Sequence, residues 1–267
     1  MHWKVALENM AKGRLPIGKK LRHNLSYIYV SNIMEQYYCE LKLENRYLGR
    51  KITPTRMKKM GKELHDVILG IQKISFNEIV SKIESTPTYT TSFPLIAKYR
   101  NVVIAGRPDA ITFFQGKPRF LTELKTTYGN SLRIWKNQII QAGIYAFLLE
   151  ELGFDCSRLQ LVALRMKHDP LERIEHKNEL LYPIVSVLLN RRIKDLERIY
   201  LGNIHCEHYS YSRKRIEKEL DWALGYWLFE RQPEKTNFQK RCQSCEFQKN
   251  CKQFACAEYK YAGCQTG

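Results

Sequence analysis

The sequence predicts an α/β fold, a mixed sheet flanked by helices, on three observations. Short apolar runs at 95–99, 101–114, 119–126 and 159–166 read as strands, and they are interrupted by one long apolar helical pattern at 131–152. The acidic side chains fall within the middle strands, not around them. Finally, 267 residues at 44% hydrophobic content suffice for one large core.

Taken in order, residues 1–25 are basic and weakly patterned, and aromatic-rich residues 31–43 read as a short helix packed on the main domain. Thr53-Pro54 caps an amphipathic helix whose stripe is Met57, Met60, Leu64, Val67, Ile68 and Ile71, with His65 on its border. A short helical pattern follows, then a Thr/Ser/Pro-rich connection from Ser85 to Pro94. The helix at 131–152 stops at Gly153, and Gln138, Gln141 and Tyr145 draw a polar line along it at spacings of three and four. Two further helices are expected at 183–201 and 213–229. We divide the chain into a basic segment 1–30, a core with helical additions 31–241, and a cysteine cluster 242–267.

Charge narrows the partners. Lys and Arg number 44 against 27 Asp and Glu, a net charge of +17, so the natural partner is a polyanion. Residues 1–60 carry 13 basic and four acidic side chains, which concentrates the excess on one region; a solvated face with no partner is the alternative. No run approaches the roughly 20 apolar residues of a membrane span, and no signal-peptide core opens the chain, so a soluble, cytoplasmic protein is expected. The oligomeric state stays open.

The chemistry centres on Gly106 to Lys125, GRPDAITFFQGKPRFLTELK, two apolar segments joined by a polar turn at Gln115 to Pro118. On a strand Glu123 and Lys125 share a face, and the reversal brings Asp109 to the same edge. Two carboxylates and an ammonium so placed form a metal site for phosphodiester cleavage; a surface ion-pair ladder is the competing reading. Cysteines supply the second cluster. Cys242, Cys245 and Cys251 form a C-x2-C-x5-C run, three thiols in ten residues whose proximity a soft metal centre would explain. A fourth ligand could be Cys256, Cys264 or the distant Cys39, and iron-sulfur, zinc and plain reduced thiols all remain open on spacing alone.

Together, His65, Asp109, Glu123-x-Lys125, Gln141-x3-Tyr145 and an early cysteine paired with a late triplet resemble the iron-sulfur branch of the RecB-like nucleases. That branch includes CRISPR-associated RecB-like exonucleases, AddB-type helicase-nuclease subunits and exonuclease V. The resemblance spans about residues 30–256. It implies a restriction-endonuclease-like PD-(D/E)xK core and a [4Fe-4S] cluster on Cys39, Cys242, Cys245 and Cys251, joining the N- and C-terminal segments. It further implies Mg2+ or Mn2+ held by Asp109, Glu123, His65 and the carbonyl of Leu124, the imidazole favouring manganese. Lys125, Gln141 and Tyr145 would complete the catalytic set. The implied substrate is single-stranded DNA, degraded from 5′ ends, with protein partners in repair or CRISPR adaptation. An inactive DNA-binding or scaffolding subunit is the alternative. Glu40 departs from the pattern, since relatives often carry proline after the first cysteine, and Cys256 and Cys264 fall outside it.

Overall fold

The computed structural model describes residues 2–49, 75–127, 131–167, 198–201, 204–243, 245–248 and 251. The expected helix from Thr53, with His65, lies outside them, as do Cys256, Cys264 and most of the expected helix 183–201.

Two sheets organise the chain. The smaller is β1 (Ile28–Tyr29), β4 (Val102–Gly106) and β3 (Leu95–Tyr99), in the order β1-β4-β3. The larger takes β2 (Thr88–Thr91), β5 (Ala110–Phe114), β6 (Lys117–Thr127), β7 (Gln160–Lys167), β9 (Ile204–Ser210) and β8 (Arg198–Leu201) in the order β2-β5-β6-β7-β9-β8. Only β6 and β7 pair in parallel within it, because the 16-residue helix α5 (Lys136–Glu151) crosses between them; its other pairings are antiparallel, while in the small sheet β1 runs parallel to β4. The sheet is therefore mixed, as expected.

Hairpin turns set the strand pairings, and a bulge between Thr112 and Phe113 shifts the β5–β6 register by one residue. Gln115 and Gly116 both take positive φ (51° and 76°), as do Arg100 and Asn101 (50° and 65°), so each pair closes a two-residue turn whose twist matches its strands. Helix α5 lies over the large sheet and also touches β3. It also meets α6 (Arg213–Trp227) closely: a Cβ on Gly143 would sit 2.2 Å from the Ile216 Cδ1, so only glycine lets the helices meet there. Gly153, at φ +91°, ends α5 as its sequence position predicted. The core below joins Ile140, Ile144, Phe147 and Leu148 of α5 to Leu121, Leu161, Leu220 and Trp227.

Several elements depart from expectation. The 31–43 helix is two, α2 (Val30–Gln36) and α3 (Glu40–Tyr47), broken where Cys39 is extended. The 101–114 strand is also two, in different sheets, separated at Arg107-Pro108-Asp109. Proline fixes its own φ and biases the preceding residue to extended backbone, which suits a change of sheet. Helix α5 starts at 136, not 131, with Trp135 still extended. Strand β2 occupies part of the Thr/Ser/Pro-rich connection, where threonines suit an edge. The end of the expected helix 183–201 is strand β8. The basic start holds α1 (His2–Ala11), buried through Trp3 and Leu7 one helical turn apart. Helices α4 (Phe76–Ser85) and α7 (Gln239–Gln243), with a short 3-10 helix at Arg22–Asn24, complete the described elements.

Candidate active site

Asp109 ends the loop entering β5, and Glu123 sits inside β6. The last ladder pair of this hairpin is Ala110 with Thr122, so one step further the antiparallel register sets Asp109 against Glu123. The Leu124 backbone N–H donates to Asp109 Oδ2 at 2.7 Å, which fixes that carboxylate beside the strand. The loop before it is clamped as well: Arg107 Nε donates to Ser92 Oγ at 2.8 Å, and Ser92 Oγ donates to the Pro108 carbonyl at 2.7 Å. Sequence reasoning missed Ser92 and Arg107, because nothing local ties a serine to a loop 15 residues on.

Glu123 is fully buried, and Lys125 Nζ donates to its Oε1. Its other oxygen, Oε2, is buried without a hydrogen-bond partner. Burial first, then the Asp109 charge, pushes the Glu123 pKa well above the carboxylate range, against the pull of Lys125. Burial alone would lower the Lys125 pKa, but Glu123 and Asp109 outweigh it and the net shift is upward. Buried, unpartnered and facing a second carboxylate, this oxygen favours a proton in the absence of a cation and could exchange it for one. The donor set thus fits a hard divalent ion. Among the described residues no three His, Cys, Asp or Glu side chains group as a metal-ion site, and the third expected side-chain ligand, His65, lies outside those residues.

Helix α5 delivers the rest. The buried Tyr145 hydroxyl lies beside the Gln141 side chain and the Arg107 backbone. Burial, then the charges of Glu123 and Asp109, hold its pKa above the usual range for tyrosine, so the phenol stays protonated beside the carboxylates. Its ring lies against Gly106, where a Cβ would come within 2.7 Å of Tyr145 Cε1 and 3.0 Å of Val30 Cγ2. Gly106 is therefore a positioning residue, and glycine before Arg-Pro-Asp was its only sequence signal. Gln138, one turn earlier, is buried; its Oε1 accepts the Trp135 N–H and its Nε2 has no partner.

Elsewhere, the thiol-bearing residues Cys39, Cys242, Cys245 and Cys251 line one cavity with Tyr38, Lys42 and Arg241. Burial first, and then the neighbouring thiols, raise the pKa of Cys242. The surrounding seam is closed by protein groups. Arg231 grips both oxygens of fully buried Glu40 at 2.6 Å, Gln36 Nε2 and the Glu234 backbone N–H donate to the same carboxylate, and Arg241 Nη1 donates to the Tyr37 carbonyl at 2.9 Å. Glu40 thus replaces the pattern's proline with a buried ion pair. Among the described residues no helix is long and apolar enough to cross a membrane.

A comparison with curated proteins finds no match. A solved structure described as the crystal structure of SSO0001 is similar at 16% identity and a TM-score of 0.44, covering 94% of this chain and 96% of that one. Residues 19–252, which contain Asp109, Glu123, Lys125 and all four cysteines of the cavity, match the PD-(D/E)XK nuclease superfamily, whose nucleases are generally metal-dependent hydrolases, and the chain belongs to that superfamily.

Proposed function

We propose that this protein is a metal-dependent deoxyribonuclease that degrades single-stranded DNA from an end, 5′ to 3′. The unpartnered Glu123 Oε2, buried opposite Asp109, carries the reading, because it marks where a divalent cation belongs. Asp109 and Glu123 would hold Mg2+ or Mn2+, with the Leu124 carbonyl and His65 as the further expected donors. When bound, the ion supplies Lewis-acid stabilisation of phosphoryl charge.

The chain's own groups do the remainder. Lys125 keeps one oxygen of Glu123 occupied and presents its ammonium at the site's open edge, where its side chain is 37% exposed. From there it stabilises negative charge growing on a phosphate. Tyr145, protonated and beside Gln141, orients a phosphate or the attacking water by hydrogen bonding. Single strands and 5′ polarity rest on the resemblance to the iron-sulfur RecB-like nucleases. The same resemblance supports a [4Fe-4S] cluster on Cys39, Cys242, Cys245 and Cys251, which would cross-link distant parts of the chain and leave hydrolysis to the carboxylates. On this reading the core runs over 31–241 and the C-terminal cysteines close on Cys39.

The test is a time course on 5′- and 3′-labelled single strands with Mg2+ or Mn2+, comparing the parent with Asp109→Ala and Lys125→Ala. Each variant should lose cleavage by on the order of 100-fold or more while binding DNA as the parent does. Cleavage at the parent rate would show the site to be misassigned, and a parent that binds without cutting would make the protein a scaffold. Anaerobic protein should be brown and carry iron with sulfide; colourless protein with one zinc would replace the cluster assignment.

A further inference from the structure

A cavity of about 840 Å3 opens beside the carboxylate centre, on the outer face of the small sheet. Its floor is Ile96 of β3 with Val103 and Ala105 of β4, its near wall is Tyr27 and Tyr29, and a strap carrying Leu15 and Ile17 borders the other side. The strap is pinned by close contact. The Lys19 N–H donates to the Asn101 carbonyl at 2.9 Å, and a Cβ on Gly18 would meet Val103 Cγ2 at 2.9 Å. That leaves Ile17 89% and Leu15 54% exposed over the groove. Tyr27 and Tyr29 are also about half exposed, at 43% and 49%, and hold each other edge to face with hydroxyls 3.1 Å apart.

The groove does not end blindly. Gly106, Arg107 and Tyr145 line it too, and Tyr145 is the side chain whose phenol feels the charges of Glu123 and Asp109. Its charge suits an anion: no acid is among the described residues lining it, while Arg14, Lys19, Lys20 and Lys98, on the strap and on β3, are exposed and form no ion pair among the described residues. Exposed rings and aliphatic side chains with cations at the margin match a chain that has flat apolar faces and one negative charge per unit. Bases within a duplex have those faces covered by their neighbours; bases of a single strand offer them.

We propose that this groove is the track for a single DNA strand leading to the Asp109 and Glu123 centre, with unstacked bases resting on Tyr27 and Tyr29 and phosphates facing the basic strap. The proposal rests on the single-strand reading above and adds where the strand lies. Base stacking on an aromatic ring tolerates any sequence, so the track should show little preference among bases.

The experiment measures binding of a labelled oligodeoxythymidylate of about 12 nucleotides in chelator, alongside a duplex of the same length, and then cleavage with Mn2+. The Tyr27→Ala/Tyr29→Ala double variant should bind the single strand about 10- to 100-fold more weakly, with duplex binding and melting temperature unchanged. The Tyr27→Phe/Tyr29→Phe variant, which keeps both rings, should bind like the parent. If the parent digests single strands and the alanine variant matches it in affinity and rate, the track is overturned and the nuclease reading survives. Phenylalanine variants as weak as alanine would also overturn it, by assigning the effect to the hydroxyls. A parent dimer that the alanine variant dissociates would assign the groove to a second copy of the chain. A parent that neither binds nor cuts single strands would remove the single-strand reading itself.

Discussion

The carboxylate hairpin and the cysteine seam hold their buried charges in opposite ways. At the seam, the Glu40 carboxylate is matched group for group: both oxygens are taken by Arg231, and Gln36 and the Glu234 backbone add donors. At the hairpin, Glu123 is as deeply buried, yet one oxygen has no partner and a second carboxylate faces it. A compensated ion pair stabilises one arrangement of the chain, whereas an uncompensated acid stores a demand for a cation. The first is architecture and the second is a site, although burial alone would not separate them.

The largest test of that contrast breaks the compensated side. Arg231→Ala strands Glu40 in the interior between α3 and the segment after α6, and should cost about 3–5 kcal/mol of stability. Thermal unfolding measures it directly. The Glu40→Gln/Arg231→Met double variant, which removes both charges, should recover much of the loss. A loss from Arg231→Ala below about 1 kcal/mol would place the pair in the class of solvent-screened surface bridges.

The uncompensated side should respond with the opposite sign. Glu123 has its pKa raised above the ordinary value of 4.5, so without metal the folded state holds the proton more tightly than the unfolded chain. Its contribution to stability is therefore fully present below about pH 4.5 and is lost as pH rises through the folded value. In chelator the melting temperature should fall from pH 5 toward pH 8 by more in the parent than in Glu123→Gln, which no longer titrates. Adding Mn2+ should remove that difference for the parent and leave Glu123→Gln unmoved. The effect should be smaller than at Arg231, because Lys125 keeps one carboxylate oxygen bonded throughout. Parallel pH profiles for the two proteins in chelator would mean that Glu123 is not held protonated.

These two regions also differ in how much of each the sequence displays. The hairpin was legible from its two-residue turn at Gln115-Gly116 and its period of two, but the pairing of Asp109 with Glu123 also needs the bulge between Thr112 and Phe113, without which the turn would set Asp109 against Thr122. Gln141 and Tyr145 were legible as neighbours one helical turn apart. The cysteine triplet was visible as a cluster, and Cys39 lines the same cavity. What closes the seam was not legible: Glu40 appeared only as a departure from a pattern, and its partner lies 191 residues away. Strand β9, IHCEHYS, hid for a different reason, since histidines and a glutamate that are buried in the fold read as polar in the sequence. The separation of β4 from β5 hid because the apolar pattern runs almost through it, and the change of sheet depends on the Ser92 clamp.

The smallest expected effect bears on the boundary between architecture and chemistry. Gly106 belongs to the small sheet, but the atom it spares is in Tyr145, a side chain of the proposed centre. A methyl there meets a ring carbon at 2.7 Å and Val30 Cγ2 at 3.0 Å, and neither a packed ring nor a β-branched side chain can swing aside freely. Gly106→Ala should cost about 1–3 kcal/mol from overpacking, and it should move the Tyr145 hydroxyl from its place beside Gln141 and the Arg107 backbone. Tyr145→Phe removes the hydroxyl without moving the ring, so the two substitutions separate position from chemistry. If the hydroxyl orients the reacting groups, both variants lose turnover on single strands, and Tyr145→Phe does so with its melting temperature nearly unchanged. If Tyr145→Phe cleaves at the parent rate, then Gly106 and Tyr145 only join α5 to the small sheet, and the carboxylates and Lys125 make up the whole of the reacting centre.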